Sequence, residues 1–349
     1  MRKPKILLTG ATGKTGAPST LLLLGKGYPV RAFVHRQDAR SESLRKAGAE
    51  IFVGSLEDPT AMREAMQGIE RAYYCPPLEP GALRRATIFA DAAQEAKLEA
   101  VVVLSQWLVD RTHLSIHARE KYLAGKIFAW ASNPGVITIN PGWFADNYMA
   151  ALEPISQFGL MALPLGDGMN APPSNEDIAR VIVGGLVNPA PYIGKTFRPT
   201  GPRLLSPEDI AAIFAKVLGR KVRYQNAPIN LFLKFGKSIG LSDFIMVQLY
   251  YFLLDYQRGS FGVGAPTDTV MEIGGAAPEE FETIVRRYVT QSAVVRRTMR
   301  NTAKAAWNLA RAMLTAAPDL DALAEKLGIP KIPNGTLAAD SLSWQSSHA

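Results

Sequence analysis

A short apolar run, Ile6-Leu7-Leu8, ends in Thr9 and the turn Gly10-Ala11-Thr12-Gly13-Lys14-Thr15-Gly16, and a leucine-rich stretch follows. An unbroken apolar run closed by a glycine turn reads as a parallel strand buried on both faces. The spacing of the glycines has a physical meaning. Gly10 turns the chain sharply off the strand, Gly13 lets backbone amides approach a pyrophosphate, and Gly16 lets the next helix pack tightly on the sheet. The helix start then offers unpaired N–H groups and a positive dipole end to an anion. A glycine triplet by itself also serves a bare turn. Here it lies between a strand pattern and a helix pattern, the context a dinucleotide-binding unit demands.

The alternation continues along the chain. Strand patterns fall at residues 5–9, 30–34, 50–53, 71–75, 100–105 and 136–140, with helical stretches between them at 16–26, 40–47, 58–67 and 82–96. Asp58 before Pro59 is a helix-start signal, an N-cap followed by a residue that needs no amide partner. Strands alternating with helices in this way predict right-handed crossovers and an α/β fold, a doubly wound parallel sheet with a smaller, mainly helical carboxy-terminal lobe. The expected domains are a dinucleotide-binding unit over 1–150, a substrate lobe over 151–290 and an extension over 291–349. Residues 146–173 read as loop-rich. Helices are expected at 175–187 and 206–218 around a strand-like 196–199. Apolar helices over 228–257 would pack over a cleft, or present a dimer face. A basic, alanine-rich helix over 293–315 and a short acidic helix over 319–327 precede a polar tail, 334–349, expected to fray.

The end of the second strand separates NAD from NADP. An acidic residue there would bind a ribose diol, whereas a basic group accommodates a 2′-phosphate. This chain has Val34-His35-Arg36 with Asp38 only beyond it, and Lys14 adds a charge in the glycine turn, so NADP(H) is favoured over NAD(H). The net charge of +8 admits nucleic acid or a membrane surface as well as an anionic cofactor. Much of that excess lies after residue 285, away from the glycine turn, and reads as a solvated helix face. No nucleic-acid-binding signature accompanies it, so no nucleic-acid partner is expected. The single cysteine, Cys75, excludes an intramolecular disulfide framework. Four histidines and one cysteine give no metal-ligand spacing, so no metal is expected. No apolar run reaches the ~18 residues of a membrane span, and the amino terminus lacks a signal-peptide core. A cytoplasmic location is the default expectation.

The chain resembles the NmrA-like family of atypical short-chain dehydrogenase/reductases. The resemblance rests on residues 9–16, on Val53-Gly54-Ser55-Leu56-Glu57-Asp58, on Val102-Val103-Leu104-Ser105, and on Asn140-Pro141-Gly142-Trp143-Phe144-Ala145-Asp146-Asn147. Later segments, Pro164 to Gly168, Asn175 to Ala179 and Thr200-Gly201-Pro202, fit it too, and the stretch after about 291 lies outside it. The resemblance implies a Rossmann domain with a small substrate lobe and NADP more often than NAD. It implies that Gly10, Thr12, Gly13, Lys14, Thr15 and Gly16 hold the pyrophosphate, and that Ser55 and Leu56 lie by the adenine, where the family has Asp-Leu. It also implies that Cys75, Pro76 and Pro77 run along the ribose and nicotinamide, with Ser105 and Gln106 beneath the ring. Pro141, Gly142 and Phe144 would wall the ring pocket, with Asn140 replacing the usual arginine.

Short-chain dehydrogenases pair a tyrosine with a lysine four residues on, so that both groups share a helix face. The lysine binds ribose hydroxyls and the tyrosine passes a proton. Tyr122 and Lys126 match those letters, while His117 and Lys121 match the family's histidine variant. Lys121 lies twenty residues before Pro141, the family's interval, and Lys126 only fifteen. The resemblance therefore favours Lys121 as the ribose lysine and His117 as proton donor, with His113 able to serve nearby. Two functions are carried forward. The first is an NADPH-dependent reductase that passes hydride to a small apolar or conjugated acceptor in a pocket lined by Trp107, Trp143, Phe144 and aromatics of 230–257. The second is a dinucleotide-binding sensor without turnover, acting through a regulatory protein partner.

Overall fold

The computed structural model describes residues 2–131 and 133–348. Seven strands form one parallel sheet: β1 (Ile6–Leu8), β2 (Val30–Val34), β3 (Glu50–Val53), β4 (Arg71–Tyr74), β5 (Ala100–Leu104), β6 (Gly135–Ile139) and, later in the chain, Thr196–Phe197. Their spatial order is β3-β2-β1-β4-β5-β6 followed by Thr196–Phe197, so the direction of travel reverses between β1 and β4. That reversal opens a crevice at the carboxyl ends of the strands, where the glycine turn sits.

Strand periodicity sends alternate side chains to opposite faces, and both faces are covered. Ile6, Leu8, Tyr73 and Val102 pack under the helices Gly16–Gly25 and Asn175–Val187. Leu7, Phe33, Val101 and Val103 pack under Pro59–Met66, Ala82–Glu95 and Ile116–Trp130. This double coverage is why the strands read as continuous apolar runs. A third cluster, holding Trp107, Trp143, Tyr148, Tyr256, Phe281 and Trp344, forms the core of the carboxy-terminal lobe.

Two expectations are corrected. The 146–173 stretch is not loop-rich at its start: it forms helices Ala145–Met149 and Leu152–Phe158 and a strand, β7 (Leu160–Leu163). With Thr196–Phe197 counted as β8, β7 pairs in parallel with β9 (Arg223–Asn226), some sixty residues away. A four-residue strand whose ladder partner lies that far off has no local pattern to announce it.

The tail is not frayed either. Leu342–His348 is a helix, and Trp344 and His348 are buried. Trp344 Nε1 donates to the Trp107 carbonyl at 3.0 Å, and His348 Nε2 lies 3.1 Å from the same oxygen. The Ser341 and Ser343 hydroxyls donate to Asp110. Among the described residues, no helix is long and apolar enough to cross a membrane.

Candidate functional site

The glycine turn has the geometry its spacing implies. Gly10 adopts φ +60°, and a Cβ there would lie 2.9 Å from the Cys75 carbonyl oxygen. At Gly16 a Cβ would come within 2.1 Å of the Gly10 carbonyl oxygen, a contact no side chain survives. The Gly13 amide closes the turn on Gly10 O at 2.8 Å. Thr9 Oγ1 accepts from the Cys75 amide at 2.8 Å and donates to the Tyr73 carbonyl at 3.1 Å, which ties the turn to the end of β4. No side chain caps the helix Gly16–Gly25 and its first turn holds no acid. The Ala17 amide donates to Gly13 O at 3.0 Å and Pro18 has no N–H, so the Gly16 amide and the positive end of the helix dipole are what the helix start offers an anion.

A groove of about 640 Å³ runs along this turn. Gly10, Thr12, Gly13, Lys14, Thr15, His35, Ser55, Leu56, Cys75, Pro76, Pro77 and Phe144 all line it. Arg36 does not. Its side chain is 77% exposed and its nearest carboxylate, Asp38, is 3.9 Å away. The arginine that lines the groove at this strand end is Arg40, in the first turn of the next helix. Asp38 caps that helix and pairs with Arg40 at 2.6 Å, so this carboxylate is held by a cation and by amides of its own helix. The Arg40 hydrogen bond lowers the Asp38 pKa to about 2. Arg85 also escaped notice in the sequence. It is buried in the groove wall, pairs with Glu57 at 2.8 Å, and leaves Nη1 without a partner.

A second cavity, about 760 Å³, adjoins the first: Lys14, Pro76, Leu104 and Phe144 line both. Ser105, Gln106, Trp107, Pro141, Gly142, Trp143, His117 and Lys121 complete its polar and aromatic wall. Leu241, Ile245, Leu249, Phe252 and Phe261 close it from the carboxy-terminal lobe. The expected aromatic wall from 230–257 is thus mostly aliphatic, with Phe252 its aromatic member. The Trp143 ring is fixed edge-on against Tyr256 at 5.8 Å, and the Trp107 indole donates to Ser260 O at 2.9 Å. Rigid aromatic walls and few polar groups suit a small apolar ligand.

Ser115 caps the helix Ile116–Trp130, whose inward face carries His117 and Lys121, four residues apart. Lys121 Nζ donates to the Leu104 carbonyl at 2.7 Å, leaving two donors free. Burial lowers its pKa to about 8, so it remains mostly charged at neutral pH. His117 is a different case. Burial, with the Lys121 charge adding to it, lowers its pKa to about 3. The imidazole is therefore neutral at pH 7, with Nδ1 unpartnered.

Tyr122 and Lys126 line neither cavity. Lys126 sits over the Tyr122 ring at 5.3 Å, farther round the helix. His113 is fully buried: Nδ1 accepts from the Ser115 amide at 2.8 Å, so Nε2 carries the proton and donates to Asp255 at 2.7 Å. It is a structural histidine. Lys14 pairs at 3.0 Å with Asp146, which also accepts from the Tyr288 hydroxyl, linking the glycine turn to the second lobe.

A six-stranded 3-2-1-4-5-6 core extended by a seventh strand, with a glycine cradle at its switch point, defines a doubly wound protein of the dinucleotide-binding class. The model of the NmrA-like family matches residues 2–257, and the chain belongs to that family. Among curated proteins it is similar to an NAD(P)H azoreductase of Xenophilus azovorans, 26% identical over 63% of this chain and 76% of that one. It is also similar to quinone oxidoreductase 2 of Escherichia coli, 27% identical over 68% of this chain and 83% of that one. Solved structures share the fold. The NADPH complex of an E. coli quinone oxidoreductase superposes with a TM-score of 0.69 at 24% identity, covering 81% of this chain and 99% of that one. The negative transcriptional regulator NmrA, solved with NADP, gives 0.69 at 18% identity, covering 82% and 95%.

Proposed function

We propose that this protein is an NADPH-dependent reductase of small apolar or conjugated acceptors, such as quinones, enones, imines or azo dyes. The observation that carries the reading is the shared wall. A dinucleotide laid along the glycine turn, with its pyrophosphate on the uncapped helix, directs its nicotinamide end toward Phe144 and Leu104, where the apolar cavity begins. The residues present fit such a ligand: the glycine cradle leaves room for it, and buried Arg85 Nη1, Gln106 Nε2 and His117 Nδ1 lack partners along the two cavities. The resemblance to reductases of azo compounds and quinones supports the same chemistry.

When bound, NADPH supplies the hydride; the protein binds, orients and excludes water. Lys121, anchored by Leu104 O, offers its two remaining N–H groups to ribose hydroxyls. His35 and Arg40 favour a 2′-phosphate, with Arg40 in the place first assigned to Arg36. Trp107, Trp143 and Phe144 hold the acceptor flat by stacking and apolar contact. A neutral His117 orients a polar edge of the acceptor, and solvent completes its protonation.

The test is NADPH oxidation by the purified protein against quinones, azo dyes, enones and imines, with Lys121→Met in parallel. Turnover that falls at least tenfold in the variant supports the reading. Tight NADP(H) binding without turnover on any acceptor would transfer the assignment to a sensor that acts through a protein partner.

A further inference from the structure

The helix Met299–Leu314 lies beyond the residues matched by the family model and presents two unlike faces. One is built into the protein. Ala305 and Ala312 are buried against the helices Leu152–Phe158 and Ile229–Ser238. Thr302 Oγ1 donates to Gln157 at 2.9 Å, and Asn308 Nδ2 to Glu153 at 2.8 Å. These bonds fix how the helix is rotated about its axis.

The opposite face follows from that rotation. Positions 299, 303, 307, 310 and 314 recur at helical spacing and form one stripe. Met299 is 92% exposed, Trp307 67% and Leu314 87%. Arg300, Lys304 and Arg311 form a second stripe alongside it, at spacings of four and seven. The helix contains no acidic residue, and among the described residues none of these three cations is in an ion pair. Arg296 and Arg297 stand exposed just before it.

A single exposed apolar side chain is ordinary, but an aligned tryptophan, methionine and leucine bordered by cations is a surface with a complement. A second copy of the same helix would cover the apolar stripe while bringing like charges together across a two-fold contact. A bilayer surface carrying anionic phospholipid satisfies both stripes. Apolar side chains enter the headgroup–acyl boundary, tryptophan favours that boundary, and the cations meet phosphates.

We propose that Met299–Leu314 is a surface anchor for anionic phospholipid bilayers, with Met299, Trp307 and Leu314 inserted and Arg300, Lys304 and Arg311 at the headgroups. The inference stands apart from the reductase reading, because it uses no residue of either cavity.

The full chain would be sedimented with phosphatidylcholine vesicles containing about 30% phosphatidylglycerol, and with vesicles lacking it. Two variants run alongside, Trp307→Ser with Leu314→Ser, and Arg300→Gln with Lys304→Gln and Arg311→Gln. All alter outward side chains only, and thermal unfolding checks that each remains folded. The native chain should sediment with the anionic vesicles alone and be released by high salt. The charge variant should bind about a hundredfold more weakly, about fivefold per cation. Trp307 emission should move to the blue on binding, with the other tryptophans controlled by Trp307→Phe. A native chain left in the supernatant with both vesicles overturns the proposal, as does undiminished binding by both variants. A native dimer that Trp307→Ser with Leu314→Ser dissolves, with no vesicle binding, overturns it in favour of self-association.

Discussion

The two adjoining cavities are built in different ways. The cofactor groove is made largely of backbone: glycines that admit a close approach, the amide at a helix start, and loops at the ends of β2, β3 and β4. The acceptor cavity is made of side chains from segments scattered between residues 14 and 261, braced from behind by Trp344 and His348. Backbone cradles tolerate no added atom. Side-chain walls tolerate change at the lining but depend on what stands behind them. A cavity of the second kind can be reshaped for new acceptors while the first stays constant.

That contrast can be broken at either end. The largest expected effect is Trp344→Ala. It removes a buried indole and its bond to the Trp107 carbonyl, and should cost about 3–5 kcal/mol of stability. In the folded variant the acceptor KM should rise while NADPH affinity holds, as titrated by fluorescence. Equal loss of both would show that the cavities are not mechanically distinct. Gly16→Ala should cost about 3 kcal/mol through its clash with Gly10 O and should abolish dinucleotide binding, leaving nothing in calorimetry. A variant that still binds would mean the turn is softer than its contacts imply.

Lys121→Met should weaken NADPH about tenfold or more, the worth of a charged hydrogen bond in a buried site. The sign of its pH dependence follows from a folded pKa of about 8, below the ordinary lysine value. The ammonium is present below pH 8 and lost above it, so the NADPH KM should climb through that range and stay flat in the variant. Stability runs the other way, since the unfolded chain binds the proton more tightly between about pH 8 and 10.5. Arg40→Ala should shift the NADPH-to-NADH preference about tenfold, whereas Arg36→Ala should shift it little. Tyr122→Phe, at the small end, should change stability by less than about 0.5 kcal/mol and activity not at all. A large effect there would reinstate the Tyr122 and Lys126 pair.

Much of the first region was legible in the chain itself. Buried parallel strands must be apolar on both sides, so β1, β2, β4 and β5 announce themselves, and only glycine fits at positions 10 and 16. The helices expected at 175–187 and 206–218 form as Asn175–Val187 and Pro207–Leu218, and Ser174 and Ser206 cap them. Local reading points to Arg36 and is silent on Arg40. Both are basic and near the strand end, and only the turn into the helix that Asp38 caps directs one to the groove and the other to water. The neutrality of His117 depends on how deeply the second lobe buries it, which no spacing reports.

By itself the sequence determined the doubly wound sheet, the glycine cradle and the residues at the strand ends, because each is dictated by short-range sterics and periodicity. Only the tertiary structure decided that β7 pairs with β9, that the tail folds back beneath Trp107, and that burial keeps His117 neutral. Those outcomes rest on contacts between residues tens to hundreds of positions apart, where the free energy lies in burial and in hydrogen bonds that no local pattern encodes.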